Sequence, residues 1–311
     1  MKAHQRIVVA AMLSMACFAA HAAERGDIVI DDTAVYPESV TSTAAGDVIT
    51  GSMKGIIFRA RKGEARATAW IRPDEVNHLG AAFGVLADER SKTLWVCSVS
   101  NPFQRGGPPA SPPALVAFDL KSGKYKASYP FPAPGGVCND VAVGPDGAAY
   151  ATDTPNGRIL KLPKGGSALQ VFGQDERLKG IDGIVFSGAG VMYVNIVTRG
   201  ALMRVAIEKG AMGALTELAV SQPLGGPDGF RLIQGDRFVL AEGTTGRIDE
   251  ITITGDNAAV RVLREGLSSS PGVTRVGDTV YAIEGKIGYL IDPKLKGQDP
   301  GEFRIHAIPL K

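Results

Sequence analysis

The sequence has 311 residues, with 34 basic and 32 acidic side chains and a formal net charge of +2. A nearly neutral chain without runs of basic residues offers no electrostatic basis for binding nucleic acid or an anionic membrane surface. Its 39 glycines and 19 prolines are spread along the chain, which favours many turns and short strands over helices. We therefore expect an all-β protein that binds neither nucleic acid nor a membrane surface.

The first 22 residues have the features of a cleaved secretory signal peptide. Two basic residues precede an apolar run from Ile7 to Ala20, which is too short to span a bilayer and ends in small residues before Ala22. Cleavage after Ala22 would leave 32 basic and 32 acidic side chains in residues 23–311. A lipoprotein anchor at Cys17 is the alternative. No later stretch is long and apolar enough to cross a membrane, so we expect a periplasmic or secreted protein without membrane insertion.

One structural unit recurs six times along the mature chain. It begins with a polar or glycine-containing segment just before the first strand, which we call the mouth, and continues with that strand, a Gly/Asp turn and two further strands. The copies begin roughly forty to sixty residues apart, at Pro37, Phe83, Cys138, Ile181, Pro227 and Pro271. Each copy has room for a fourth strand, which predicts a six-bladed β-propeller formed by residues 23–311 as a single domain. A β-sandwich or two all-β domains would not require the same internal turn to recur. Either Asp27–Ile30 or the C-terminal strand is expected to close the ring.

The third copy illustrates the unit. Gly135–Asp153 contains a short apolar alternation, the turn GPDG and a returning strand, which predicts a β-hairpin. The second copy is interrupted by residues 101–113, a Pro- and Gly-rich segment that we predict to be either a lid over the mouth or a long surface loop. Cys97 and Cys138 are the two cysteines left after cleavage. They could pair in an oxidising compartment, but the spacing alone leaves this open.

Acidic or amide side chains stand at the mouths of four copies: Glu38, Asn139 with Asp140, Asp182 and Asp228. The inner strands of a propeller line a central channel, so these side chains should face one another. Carboxylates that converge in a narrow channel repel one another unless a cation lies between them. Oxygen donors without His or Cys favour Ca²⁺, or another hard divalent cation, over Zn²⁺ or copper. Taken singly, Asp182 and Asp228 are more typical of turns and strand entries.

In this order, Glu38 in PESV, Asn139-Asp140 before GPDG, Asp182-Gly183 and the PDG around Asp228 resemble the senescence marker protein/gluconolactonase family, which includes regucalcin. The resemblance covers nearly all of the mature chain. It implies a six-bladed propeller with a divalent cation, usually Ca²⁺, in its channel. Glu38, Asp182 and Asp228 would be direct ligands of that cation. Asn139 would contact the cation or the substrate, and Asp228 would also be the general base or nucleophile.

Two positions depart from the family's pattern. Family members usually carry Asn where Asp182 stands, and the sugar-lactone members carry Arg where this chain has Val137. An additional carboxylate should hold the cation more tightly and make it a weaker Lewis acid. Val137 and Cys138 indicate an apolar wall beside the proposed site, which argues against a polar sugar acid as substrate.

The residues therefore favour a Ca²⁺-dependent hydrolase of a small lactone or related ester, with Asp228 and Asn139 as its catalytic residues. The alternative is a non-catalytic propeller, a binding or scaffold protein in which the calcium is structural. A cation-dependent lyase is a third hypothesis, weakened because neither His78 nor His306 stands at a mouth. The sequence leaves the substrate and the oligomeric state open.

Overall fold

The computed structural model describes residues 26–100 and 112–310. These ranges consist almost entirely of strands and turns, which confirms the prediction of an all-β protein. The helical elements within them are one 3₁₀ turn, Glu176–Leu178, and one short α-helix, α1 (Gly288–Ile291). The predicted signal peptide and residues 101–111 of the predicted lid or surface loop lie outside the described residues. Within those ranges, none of the helices has the length and hydrophobicity needed to cross a bilayer.

The strands follow one another in four-stranded antiparallel units. After the short strand β1 (Ile28–Ile30), the first unit contains β2 (Val40–Ser42), β3 (Val48–Thr50), β4 (Ile57–Ala60) and β5 (Arg66–Ile71). The second contains β6 (Ala81–Asp88), β7 (Thr93–Val99), β8 (Ala114–Asp119) and β9 (Tyr125–Pro130). The third contains β10 (Cys138–Val143), β11 (Ala149–Asp153), β12 (Arg158–Leu162) and β13 (Gln170–Gln174).

The later units repeat this order with small additions. The fourth contains β14 (Ile181–Phe186), β15 (Met192–Ile196), β16 (Ala201–Glu208) and β17 (Ala211–Glu217). The fifth adds the two-residue strand β18 (Ala219–Val220) to β19 (Pro227–Gln234), β20 (Arg237–Glu242), β21 (Ile248–Thr254) and β22 (Asn257–Arg264). The last contains β23 (Val273–Val276), β24 (Thr279–Ile283) and β25 (Arg304–Pro309).

The N-terminal strand completes the last unit. β1 pairs antiparallel with β25, with Ile28 opposite Ile305, and parallel with β5 of the first unit, with Val29 opposite Arg66. The two proposed ways of closing the ring therefore occur together, because the N-terminal strand lies directly against the C-terminal one. This pairing joins the first and last units into one eight-stranded sheet.

The units are arranged around a common centre. Their first strands contact one another in cyclic order, from β2 to β6, β10, β14, β19, β23 and back to β2. Apolar clusters fill the spaces between neighbouring units; Leu115 and Leu160 belong to the cluster between the second and third units, and Phe230 to that between the fourth and fifth. Strands that are covered on both faces bury nearly every residue, which is why β11 and β15 lack a polar–apolar alternation.

The predicted hairpin of the third unit is formed by β10 and β11. Its turn is closed by hydrogen bonds from Gly147 N to Gly144 O, 3.0 Å, and from Gly144 N to Ala148 O, 3.0 Å. Gly147 has a φ of 77°, a conformation that glycine adopts without steric strain. The Oδ1 atom of Asp146 accepts a further hydrogen bond from Ala148 N. Local turn chemistry thus sets the register of this hairpin.

Cys97 and Cys138 form a disulfide, which resolves the pairing that the sequence left open. Cys97 lies in β7 and Cys138 begins β10, and their Cα atoms are 5.1 Å apart. The bond therefore links the second unit to the first strand of the third, immediately before Asn139.

Candidate functional site

A repeated irregularity in the first strands directs polar side chains toward the centre. In β10, Asn139 and Asp140 together face a single residue of β11, because the register shifts between Cys138 and Val141. The same register shift occurs at Asp182 in β14 and at Asp228 in β19. Each shift is a β-bulge, which bends the strand and re-aims the side chain beside it.

The four predicted site residues are brought together. Glu38 occupies the equivalent position just before β2. It lies two residues before Val40, which faces Thr50, as Asn139 lies two residues before Val141, which faces Ala151. A small central cavity is lined by Glu38, Ser39, Asn139, Asp140, Asp182, Asp228, Gly229 and Pro271. Glu38, Asn139 and Asp182 are buried, whereas Asp228 is half-buried. The predicted convergence of these mouths is therefore present in the fold.

We call Glu38, Asn139, Asp182 and Asp228 the carboxyl ring, and polar contacts connect members of this ring. The amide Nδ2 of Asn139 donates to Asp182 Oδ2 at 2.9 Å and to Thr154 Oγ1 at 3.0 Å. The carboxyl groups of Asp182 and Asp228 also lie within hydrogen-bonding reach of each other. A hydrogen bond between two carboxyl groups requires a proton on one of them, and burial together with neighbouring negative charge favours that proton here.

Two buried side chains form hydrogen bonds with the backbone carbonyl groups of two ring residues. Thr152 in β11 donates through Oγ1 to the carbonyl oxygen of Asp182 at 2.7 Å. Asn195 in β15 donates through Nδ2 to the carbonyl oxygen of Asp228. Both residues are fully buried, and each lies one unit before the residue it contacts. They fix the relative positions of neighbouring inner strands and therefore the spacing of the carboxyl groups.

Asp182 and Asp228 are each followed by a glycine, which allows the first strands of neighbouring units to approach closely. A Cβ atom on Gly183 would lie 2.3 Å from the carbonyl oxygen of Asp228, and one on Gly229 would lie 2.8 Å from that of Pro271. Real Cβ contacts are never that short, so a side chain at either position would push the strands apart. Gly229 N uses this proximity to donate a hydrogen bond to Pro271 O at 2.9 Å.

The three carboxyl groups of the ring all have raised pKa values, so they bind protons more readily than ordinary carboxyl groups. Burial, with the negative charges of Asp182 and Asp140, raises the pKa of Glu38 well above its ordinary value. Burial and then the charge of Asp140 raise the pKa of Asp182 to about 7. Burial, followed by the charges of Asp182 and Glu38, raises the pKa of Asp228 well above its ordinary value. Excess negative charge in a buried site is unfavourable unless a proton or another cation neutralises it.

One arginine lies directly beneath this ring. Arg231 of β19 donates from Nη1 to Asp140 Oδ2 at 2.7 Å and from Nη2 to Asp140 Oδ1 at 2.9 Å. The backbone N–H of Ile184 donates to the same carboxylate at 3.2 Å. The buried pair separates the carboxyl cavity from a wider cavity at the opposite end of the inner strands, which Leu86 and Arg231 help to line.

The donor set has the chemistry of a site for a hard cation. Both side-chain hydrogen bonds found for Asn139 come from Nδ2, which leaves its Oδ1 as the atom able to ligate a cation. Oxygen donors from Glu38, Asp182 and Asp228 complete the set, and such ligands suit Ca²⁺. In residues 26–100 and 112–310, however, no three His, Cys, Asp or Glu side chains stand ready at metal-ligand spacing.

The raised pKa values predict that stability falls as pH rises in the absence of metal. Below about pH 4 these carboxyl groups are protonated in both the folded and the unfolded chain, and no stability is lost. As pH rises through about 7, the folded state loses the protons that it held more tightly than the unfolded state, and its advantage disappears. With chelator present, the free energy of unfolding in urea should be smaller at pH 8 than at pH 5. Asp182→Asn should flatten this dependence, and greater stability at pH 8 would contradict the argument.

Several residues of the site were not identified from the sequence. Thr152, Thr154, Asn195 and Arg231 were missed, and Asp140 was recognised only as a neighbour of Asn139. A weak signal existed for Asn195, since a single amide in the apolar strand MYVNI has to find a buried partner. Arg231 in FRLI had a similar signal. The two histidines are elsewhere: His78 is exposed, and His306 Nδ1 lies 2.9 Å from Asp27 Oδ2.

The cyclic arrangement of sheets defines a β-propeller with a polar central cavity. No protein-family model matches the sequence, and no curated protein matches it. Solved structures match along most of the chain. The calcium-binding protein regucalcin from Agrobacterium tumefaciens is 16% identical, with 92% of this chain and 95% of that chain covered and a TM-score of 0.64. A gluconolactonase from Xanthomonas campestris is also 16% identical, with 89% and 88% covered and a TM-score of 0.61.

A third neighbour is a variant of an enzyme that is named as a lyase rather than a lactonase. A catalytically inactive variant of virginiamycin B lyase from Staphylococcus aureus, solved with quinupristin, is 15% identical, with 90% of this chain and 83% of that chain covered and a TM-score of 0.61. At these identities the likeness establishes the fold alone. The structural neighbours nevertheless include gluconolactonase and regucalcin, so the resemblance inferred from the mouth residues is confirmed at the level of the fold.

Proposed function

We propose that this protein is a six-bladed propeller that hydrolyses a small lactone or related ester with a divalent cation, Ca²⁺, bound at the centre of the ring. The observation that carries the proposal is the convergence of Glu38, Asn139, Asp182 and Asp228 on one cavity. The cyclic contacts of the first strands support six blades, with β1 as the outer strand of the last blade. The gluconolactonase and regucalcin neighbours support the substrate class and the cation.

The charge balance of the cavity supports a divalent cation. Arg231 forms its ion pair with Asp140, and among the described residues no Lys, Arg or His forms an ion pair with Glu38, Asp182 or Asp228. These three residues, with Oδ1 of Asn139, would hold the cation. When bound, the cation supplies Lewis-acid polarisation of a substrate carbonyl. Asp182, where the resembling family usually has Asn, adds one negative charge and so favours tighter binding of the cation.

The residues of the chain provide the remaining chemistry. Asp228 is half-buried, whereas the other three ring residues are buried, and its carboxylate would take the proton from an attacking water or attack the carbonyl carbon itself. Asn139 lies one hydrogen bond away from Asp182, so its amide would orient the substrate over the ring. The Arg231–Asp140 pair would exclude water from below. Thr152 and Asn195 would keep Asp182 and Asp228 at a constant separation by holding their carbonyl groups.

The disulfide supports a periplasmic or secreted location. Disulfides persist in oxidising compartments and are rare in the cytosol. The Cys97–Cys138 bond joins two neighbouring blades beside the site, which fits a chain exported behind the predicted signal peptide at residues 1–22. A small-molecule substrate is the only partner that this proposal requires.

Removal of the cation tests the proposal. Purified protein should hydrolyse at least one member of a panel of lactones and aryl esters, lose that activity in excess chelator and regain it when Ca²⁺ is restored. Thermal unfolding measured in the same buffers should move to higher temperature with Ca²⁺, because a ligand that binds only the folded state stabilises it. A calcium-dependent increase in stability without hydrolysis across the panel would instead favour the non-catalytic binding or scaffold protein. Full activity in chelator would contradict the role of the cation.

A further inference from the structure

The second blade contributes a phenylalanine at the ring position. In β6, Val85 faces Val96 as Val141 faces Ala151 in β10, and the register shifts between Ala82 and Val85. Phe83 therefore occupies in its strand the place that Asn139 occupies in β10. A Cβ atom on the following residue, Gly84, would lie 2.5 Å from the carbonyl oxygen of Asn139, so the two strands are in close contact at this level. Phe83 thus lies at the same level as the proposed catalytic amide, in the neighbouring first strand.

Phe83 belongs to a group of incompletely buried apolar side chains at the same end of the channel. Tyr36, Val137, Ile287 and Leu290 pack on the same apolar cluster, and all five are only partly covered. Tyr36 and Val137 each precede a ring residue by two positions, and Leu290 lies in α1. The Cys97–Cys138 disulfide belongs to the same cluster. The side of the mouth that these residues form is therefore apolar.

We propose that Phe83 is a specificity-determining residue and that the substrate has an apolar arm, alkyl or aryl, which lies against this side of the mouth. The inference rests on the proposed hydrolytic function and specifies its substrate class as a hydrophobic lactone or ester. The hydroxyl groups of a sugar lactone would lose water against these side chains without gaining hydrogen bonds, which is unfavourable. An apolar arm gains by leaving water at the same place.

The size of the effect follows from the hydrophobic contribution of each methylene group. Burial of one methylene contributes ~0.8 kcal/mol, which corresponds to about a four-fold change in kcat/KM or Kd. A homologous series of γ-lactones, extended one methylene at a time from γ-butyrolactone, should therefore show rising kcat/KM until the apolar side of the mouth is covered. D-Glucono-lactone should be a poorer substrate than an apolar lactone of similar size.

Two substitutions in β6, one at each end of the channel, separate the effect of Phe83 from a general effect of changing this strand. Phe83→Ser should flatten the dependence of kcat/KM on chain length. Leu86→Ser is the matched control, because Leu86 is a partly buried apolar residue of the same strand and cluster but lies at the opposite end of the channel. It should leave the dependence unchanged. Circular dichroism and thermal unfolding would establish that both variants are folded.

The outcomes separate this inference from the proposed function. Hydrolysis that does not depend on chain length, or a dependence that persists in Phe83→Ser, would overturn the inference and leave the hydrolase intact. If no lactone is hydrolysed, the hydrolase proposal fails. In that case, calorimetric binding of the corresponding alkyl lactams, in the presence of Ca²⁺, still tests the apolar arm. Affinity that rises with chain length and loses this trend in Phe83→Ser would support the inference, and absence of the trend would overturn it.

Discussion

Replacement of Asp228 by asparagine is expected to lower kcat/KM for lactone hydrolysis by about 10²- to 10⁴-fold, the range typical of removing a general base. The amide is nearly isosteric with the carboxyl group, and it can still ligate a cation through its oxygen. It can neither accept a proton nor attack a carbonyl carbon. The initial rate at saturating Ca²⁺ should therefore fall, while calcium-dependent stabilisation, measured by thermal unfolding, should remain.

The chain contains a matched control for this substitution. Asp146 stands in the same tripeptide, Pro-Asp-Gly, but lies in the turn of the β10–β11 hairpin, where it contacts Lys161 and the hydroxyl of Tyr150. Asp146→Asn should alter kcat/KM by less than about two-fold, because substitutions far from the reacting atoms have small effects. Turnover like that of the wild type in Asp228→Asn at saturating Ca²⁺ would remove Asp228 from the mechanism.

Replacement of Arg231 by methionine is expected to lower the free energy of unfolding by about 3–5 kcal/mol. The substitution keeps much of the side-chain volume but leaves the carboxylate of Asp140 buried beneath three further carboxyl groups. The N–H of Ile184 would still donate to this carboxylate, and the backbone N–H of Asp140 would still donate to Thr152 Oγ1. Equilibrium unfolding in urea, in chelator at pH 7, measures this change.

A double variant tests the origin of that loss. Arg231→Met combined with Asp140→Asn should recover part of the lost stability, because no uncompensated charge is left in the core. Arg204→Met serves as the surface control. Arg204 pairs with the exposed Asp256, so its substitution should change the free energy of unfolding by no more than ~1 kcal/mol. If Arg231→Met behaved like Arg204→Met, the buried pair would not be the support of the ring that its geometry indicates.

The carboxyl group of Asp182 links the pH dependence of stability to that expected for cation binding. Without metal, burial and the charge of Asp140 raise the pKa of Asp182 to about 7, so it is largely protonated below that pH. A divalent cation in the same place would displace the proton, so binding of the cation should weaken as pH falls below about 7. The same groups thus account for the pH dependence of both stability and cation binding.

The sequence by itself determined the local features of this protein. Short apolar runs and Gly/Asp turns are features of a few consecutive residues, so the hairpin of Gly135–Asp153 and the copies that resemble it could be predicted without knowledge of their neighbours. The order of Glu38, Asn139, Asp182 and Asp228 was also readable, because each stands just before or at the start of a recurring strand. From there, convergence of the four residues followed from the expected ring.

Only the tertiary structure decided which distant residues meet. The Arg231–Asp140 pair spans 91 positions, and nothing in the local sequence of either strand identifies the other as its partner. The position of Phe83 beside Asn139 depends on where the β-bulge falls in β6, which is set by packing between strands. The Cys97–Cys138 bond depends in the same way on the contact of two blades. Closure by β1 against β25 requires the ends of the chain to meet, a long-range event that local preferences do not encode.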